Sequence, residues 1–93
     1  MYIITDKLFE NEFDSLIFSE RQHVYSVMMK IRNANGLAKD DYDNHLLSRG
    51  KYKGCYDCHP LVKQGNKDLI LIYKIKVNKL HFIRLNTHKI LGL

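Results

Sequence analysis

The segment DLILIYKIKVNKLHFIRLNTH, Asp68 to His88, decides how this chain folds. Leu69 to Lys76 is dense in aliphatic and β-branched residues, and Leu80 to Thr87 alternates apolar with polar ones. The polar pair Asn78-Lys79 lies between them, so the segment predicts a β-hairpin with a tight turn. The first strand is apolar on both faces over Leu69 to Ile75, as a strand covered on both sides should be. In the second, strict alternation puts Phe82, Arg84 and Asn86 on one face and His81, Ile83, Leu85 and Thr87 on the other. A guanidinium in mid-strand must meet water, a partner or a ligand, because an unpaired buried charge is costly.

Working outward, Met1 to Thr5 is a short β-prone run that predicts an edge strand. Asp6 stands at the N-cap of a helix in which Phe9, Phe13, Leu16 and Ile17 recur at helical spacing, with Glu10, Glu12 and Asp14 on the opposite face. Ser19 and Gln22 form a capping box for a second helix with the apolar stripe Val24, Val27, Met28 and Ile31, and Asn35-Gly36 ends it. Residues 37 to 50 are polar and irregular. Asp40, Asp41 and Asp43 cluster ahead of His45 there, and solvated carboxylates rather than a cation site are expected. Lys51 to His59 predicts a third strand and Leu61 to Lys67 a loop. The expected fold is α+β: one domain over residues 1 to 93, with an N-terminal strand and a two-helix hairpin packed on one face of an antiparallel sheet that ends in a three-stranded meander.

Composition narrows the function. Ninety-three residues suffice for one core that hides about two thirds of the unfolded surface. No apolar run approaches the roughly 20 residues of a membrane span, and the N-terminus MYIITDKLFENEF has neither the basic nor the apolar region of a signal peptide. A cytoplasmic protein with no membrane association is expected. Charge is divided unevenly: residues 1 to 43 carry five basic and eight acidic side chains, residues 44 to 93 ten and two. That asymmetry points to an anionic partner for the C-terminal half.

Cys55-Tyr56-Asp57-Cys58-His59 matches the C-x-x-C-H pattern of haem attachment and half of a zinc site. In a strand, however, Cys55 and Cys58 point to opposite faces and cannot grip one ion. Two reduced thiols, with no metal and no cofactor, are the expectation.

Five histidines in 93 residues is a high count. His23 and His81 sit among helix and strand residues with structural roles, whereas His45, His59 and His88 each end or adjoin a strand or loop of the basic half. With a carboxylate and an arginine nearby, such a set suits metal-independent RNA cleavage. Histidine can take the proton of a ribose 2′-hydroxyl, which then attacks the adjacent phosphorus. A cation stabilises the charge that builds on the phosphoryl oxygens, and a second acid protonates the departing 5′-oxygen. DNA has no 2′-hydroxyl and is excluded as substrate.

The residues carrying that chemistry also resemble a known family. A histidine-leucine pair at His45-Leu46, then K-G-x-x-D-x-H from Lys53 to His59, D-L-I-L-I-Y-K from Asp68, and R-x-x-T-H from Arg84 to His88 are similar to the YafQ branch of the RelE superfamily of toxin ribonucleases. The likeness covers about half of the chain. It implies a toxin of a type II toxin-antitoxin pair that cuts mRNA on the ribosome, with His45, His59 and His88 catalytic, Asp68 assisting and Arg84 on the phosphate. His59 or His45 is the implied base and His88 the acid. The implied partner is an acidic, partly disordered antitoxin encoded next to the toxin. The chain departs from the family pattern in a longer loop, Pro60 to Lys67, in Leu69 where tryptophan is common, and in lacking an aromatic residue after His88. The alternative is a catalytically inactive module of the same fold that binds RNA, the ribosome or an antitoxin. In either case Arg49, Lys51, Lys53 and Lys74 are the expected RNA contacts.

Overall fold

A computed structural model describes all residues from Met1 to Leu93. The chain runs β1 (Tyr2–Thr5), α1 (Lys7–Asp14), α2 (Phe18–Ala34), β2 (His45–Leu46), β3 (Tyr56–Cys58), β4 (Leu69–Lys76), β5 (Lys79–Thr87) and α3 (His88–Leu91). One sheet holds all five strands in the order β1-β5-β4-β3-β2. The β4–β5 hairpin is its centre, as the opening segment predicts. Its turn is Val77-Asn78, one residue earlier than expected, and both take positive φ, 31° and 60°. Those backbone signs match the twist of the two strands.

The architecture is α+β as expected, but the sheet is mixed. The strands from β2 to β5 pair antiparallel, while β1 lies parallel to β5, Tyr2 beside Lys79 and Thr5 beside Phe82. The chain must cross over through α1 and α2 to reach the rest of the sheet, and such a crossover permits a parallel neighbour. The strand expected over Lys51 to His59 is only Tyr56–Cys58. Residues 47 to 55 form a tight turn closed by Leu47 N–H to Cys55 O (2.8 Å) and Gly54 N–H to Leu47 O (2.9 Å).

The two faces of β4 are both buried. Leu69, Leu71 and Tyr73, with Leu80, Phe82 and Leu85 of β5, meet Phe9 of α1 and Val24, Val27, Met28 and Ile31 of α2. Phe9 stacks on Phe82 with ring centroids 5.5 Å apart. On the other face Ile70 and Ile72 lie under Tyr52, Cys55 and Leu91. Cys58 belongs to the first core and Cys55 to the second, so the thiols do point to opposite faces. Burial raises both thiol pKa values, which keeps them protonated and unreactive.

Helix ends differ in detail from the sequence pattern. Asp6 occupies the N-cap position of α1 but caps nothing with its side chain. It accepts a hydrogen bond from His81 instead, at 2.6 Å. α2 starts at Phe18, one residue ahead of the expected Ser19 cap, and Glu20 reaches back to the Ile17 N–H (3.3 Å). Asn35, in the left-handed region at φ 57°, ends it as expected.

One irregularity matters more. The pairing of β4 with β5 slips between Ile72 and Tyr73, whose partners are Arg84 and Phe82. Ile83 is thus an extra residue, a β-bulge that resets the alternation. Arg84 and Asn86 lie on the face opposite Phe82, not beside it, and join the face that carries Ile70 and Ile72.

Candidate active site

β-strand registry builds the site. Asp57 of β3 pairs with Ile72 of β4 on one side and with His45 of β2 on the other, so all three side chains share the face opposite α1 and α2. His59 follows two residues after Asp57 and turns to the same face. Asp68 and His88 sit at the start of β4 and just past the end of β5, opposite each other across the last rung, Leu69 to Thr87. His45, His59, Asp68 and His88 are therefore brought to one end of one face.

Their geometry is close. The rings of His59 and His88 lie 5.4 Å apart, tilted by 32°. His88 Nδ1 is 3.2 Å from Asp68 Oδ1, a carboxylate acceptor for an Nδ1–H. His45 Nδ1 is 3.9 Å from Asp57 Oδ1 and its Nε2 is 3.6 Å from Asp40 Oδ1. His59 Nδ1 is 3.9 Å from Asp43 Oδ2. His59 is the least exposed of the three, its side chain 12% accessible against 56% for His45 and 43% for His88. Its backbone is fixed on both sides, by its N–H to Tyr42 O (2.7 Å) and by its carbonyl accepting from Val62 N–H (3.1 Å).

The longer loop leaves Asp68 in reach. Residues 61 to 66 wind into a short 3-10 turn over Val62–Gln64, closed at Gly65 (φ 88°) and by Asn66 N–H to Leu61 O (3.1 Å). Asn66 Oδ1 then accepts the N–H groups of Asp68 (2.9 Å) and Leu69 (3.3 Å). The turn ahead of His45 is strained, with positive φ at Asp40, Tyr42 and Asp43, as backbone near functional sites often is. Lys30 anchors it through Asp41 at 2.7 Å. Asn44 is buried between Leu37 O and the Tyr73 hydroxyl, holding the residue before His45.

Arg84 lies on the same face, in the row Arg84, Ile72, Asp57 and His45, but its guanidinium is bonded within the fold. Its Nε and Nη2 donate to Glu12 (3.0 and 2.8 Å) and its Nη1 to the Tyr52 hydroxyl (3.0 Å). Glu12, expected on the outer face of its helix, is buried. Its carboxylate also accepts the Leu85 N–H (3.0 Å) and the Asn86 side-chain amide (2.8 Å). β1 covers β5 only as far as Phe82, so Glu12 supplies the acceptor that a neighbouring strand would otherwise give. The guanidinium placed on the phosphate by resemblance is here engaged within the fold.

Asp57, a spacing residue of the K-G-x-x-D-x-H motif, is central. Its Oδ1 and the Nδ1 of His59 are buried without a hydrogen-bond partner. A buried polar atom left unpaired needs a reason, and a catalytic role is one such reason. The strand alternation that unites Asp57 with His59 was the available signal. Burial raises the Asp57 pKa, opposed by the charges of His59, His45 and His88. A raised carboxyl pKa means the ionised form costs the folded state stability above that pKa, a cost that disappears as pH falls below the ordinary carboxyl range. Asp57→Asn is thus expected to melt higher than the wild type at neutral pH, with the gain vanishing in acid. A melting temperature lowered at neutral pH would refute this reading.

Among the expected RNA contacts, Arg49, Lys51 and Lys53 are exposed on the turn between β2 and β3, and Lys74 is half-buried on β4. A cleft of about 450 Å³ beside His45 is lined by Leu37, Lys39, Asn44, Leu46 and Tyr56. No three histidine, cysteine or carboxylate side chains sit close enough together to hold a metal ion. No helix is long and apolar enough to cross a membrane.

Comparison with known proteins finds relatives over nearly the whole chain. The family described as the bacterial toxin of type II toxin-antitoxin system, YafQ, matches residues 5–92. No curated protein sequence matches. Among solved structures, a metal-bound toxin from Helicobacter pylori superposes with TM-score 0.75 and 27% identity, over 98% of each chain. YafQ from E. coli strain BL21(DE3) gives 0.68 and 26%, over 96% of this chain and 94% of that one. YafQ in the E. coli DinJ-YafQ complex gives 0.67 and 26%, with the same coverage.

Proposed function

Since this chain belongs to the YafQ family of bacterial type II toxin-antitoxin toxins, we propose that it is a metal-independent endoribonuclease that cuts mRNA on the ribosome and is silenced by an antitoxin. The observation carrying this reading is the His59–His88 pair, with Asp68 on the far side of His88. Two imidazoles 5.4 Å apart can flank one phosphodiester. His59, held by its backbone and little exposed, accepts the 2′-hydroxyl proton. The 2′-oxygen attacks phosphorus and forms the 2′,3′-cyclic phosphate. His88 protonates the departing 5′-oxygen, and Asp68 holds its ring in place for that transfer. His45 faces the same phosphate. With Arg84 engaged by Glu12, the lysines of the 47 to 55 turn supply positive charge that stabilises the transition state. Arg84 contributes by holding β5.

An antitoxin partner is supported by YafQ having been solved with DinJ, and by the charge of residues 44 to 93, which suits an acidic segment.

The test is induction in a bacterial host, with primer extension on its mRNA and end analysis of the products. Growth should arrest, fragments should carry 2′,3′-cyclic phosphate and 5′-hydroxyl ends, chelator should leave the rate unchanged, and His88→Ala should restore growth. A substrate carrying one 2′-deoxyribose at the cut should survive. Salt-sensitive RNA binding without cyclic-phosphate ends would favour the inactive binding module instead.

A further inference from the structure

Tyr42 stands in the turn between α2 and β2 in a conformation that a tyrosine seldom takes. Its backbone is left-handed, φ 51° and ψ 34°, where a Cβ crowds the following carbonyl, so the surrounding structure must hold it there. Two consequences reach the histidines. The Tyr42 carbonyl accepts the His59 N–H at 2.7 Å. The next residue, Asp43, also at positive φ, brings its Oδ2 to 3.9 Å from His59 Nδ1, a buried ring nitrogen with no hydrogen bond of its own.

The ring of Tyr42 shows what holds it. It is half-buried against the core that α1 and α2 cover. Two ammonium groups lie over it, Lys30 Nζ of α2 at 5.1 Å from the ring centroid and Lys63 Nζ at 4.0 Å. Lys30 also bonds Asp41 at 2.7 Å. Lys63 comes from the loop after His59, which is longer here than in the family pattern. That loop is itself fixed, by the buried Pro60 and Leu61 at its start and by Gly65 N–H to Val62 O (3.1 Å). A ring that meets one cation from α2 and another from the longer loop joins three segments, and two of them lead to His45 and away from His59.

We propose that Tyr42 is a positioning residue for His59: its aromatic ring, held by Lys30 and Lys63, latches the turn before His45 to the loop after His59 and so fixes the His59 imidazole beside His88. The face of an aromatic ring attracts the two cations, so phenylalanine should serve here where leucine does not. What His59 does rests on the ribonuclease reading above, and what holds it is read from this geometry. A base held in place reacts from the right distance and angle, so loosening it costs rate rather than binding.

The test compares Tyr42→Leu, Tyr42→Phe and Lys63→Met with the wild-type full chain, by amide hydrogen exchange and by cleavage of mRNA on ribosomes. In Tyr42→Leu the His59 N–H should exchange at least about tenfold faster, and in Lys63→Met about threefold faster, with the amides of Ile70 and Ile72 unchanged in both. Tyr42→Phe should exchange as the wild type does. Cleavage by Tyr42→Leu should slow about tenfold at saturating ribosomes with affinity unchanged, and Tyr42→Phe should restore it. Unaltered His59 exchange in Tyr42→Leu, or leucine and phenylalanine variants equally slow, would overturn the proposal. So would exchange that quickens equally at Ile70 and Ile72, which would make Tyr42 a residue of general stability. Should Tyr42→Leu fail to fold, the exposed Lys63 decides: unmoved His59 exchange in Lys63→Met removes the latch. Exchange is read without RNA, so a wild-type chain that cuts nothing defeats the ribonuclease reading, whereas full cleavage by Tyr42→Leu defeats the latch alone.

Discussion

His59→Ala is expected to lower mRNA cleavage by about 10²–10⁴-fold, the range for loss of one well-placed acid or base. The effect should fall on the rate of the cleavage step at saturating ribosome concentration, with RNA affinity little changed, because an interaction made only in the transition state is lost. The fold should survive. What fixes this residue in place is its backbone, through Tyr42 O and the Val62 N–H, and alanine keeps both bonds. His59→Gln, which keeps most of the volume beside His88 but cannot take the proton, should be equally slow. Cleavage undiminished in both variants would remove His59 from the mechanism and leave His45 as the base.

Glu12→Ala should have the largest effect on stability. The carboxylate is buried and meets the Arg84 guanidinium, the Leu85 N–H and the Asn86 side chain. Removing it strands a charge whose side chain is only 14% exposed, which typically costs about 3–5 kcal/mol. Against a total of roughly 5–15 kcal/mol for a domain, that loss should lower the melting temperature by about 12 °C or more. The pH dependence has a definite sign. Burial would raise the Glu12 pKa, but the hydrogen bonds from Arg84, Asn86 and Leu85 outweigh it and hold the pKa below the ordinary glutamate value. The stabilisation is therefore complete above that ordinary value and is lost as pH falls through the lowered one. Melting curves of wild type and variant should lie far apart at neutral pH and draw together in acid. Coincident curves at neutral pH would show that the Arg84–Glu12 pair contributes nothing. A double-mutant cycle with Arg84→Ala separates the pair from its separate contacts.

These two residues show how unequally the molecule could be read in advance. His59, Asp68 and His88 stand at ends of strands, where alternation and turn signals are strong and local, and the structure does bring them together with His45. Asp57 was within reach of the same reasoning, since it shares the strand and the face of His59. Glu12 was not. In the helix it is one acid among several, three residues after Phe9 and one before Phe13, and only contact with residues more than seventy positions away makes it a buried hub.

Arg84 marks the boundary most clearly. Composition and periodicity by themselves determined the hairpin, the α+β class, the helices over one face and the opposed thiols, because each follows from a repeat of two or 3.6 residues along the chain. Tertiary structure alone decided that β1 runs parallel, that the third strand shrinks to Tyr56–Cys58, and that a bulge at Ile83 turns Arg84 away from the Phe82 face toward Tyr52 and Glu12. A bulge forms when long-range packing of two strands gains more than perfect alternation, and no local period records that balance.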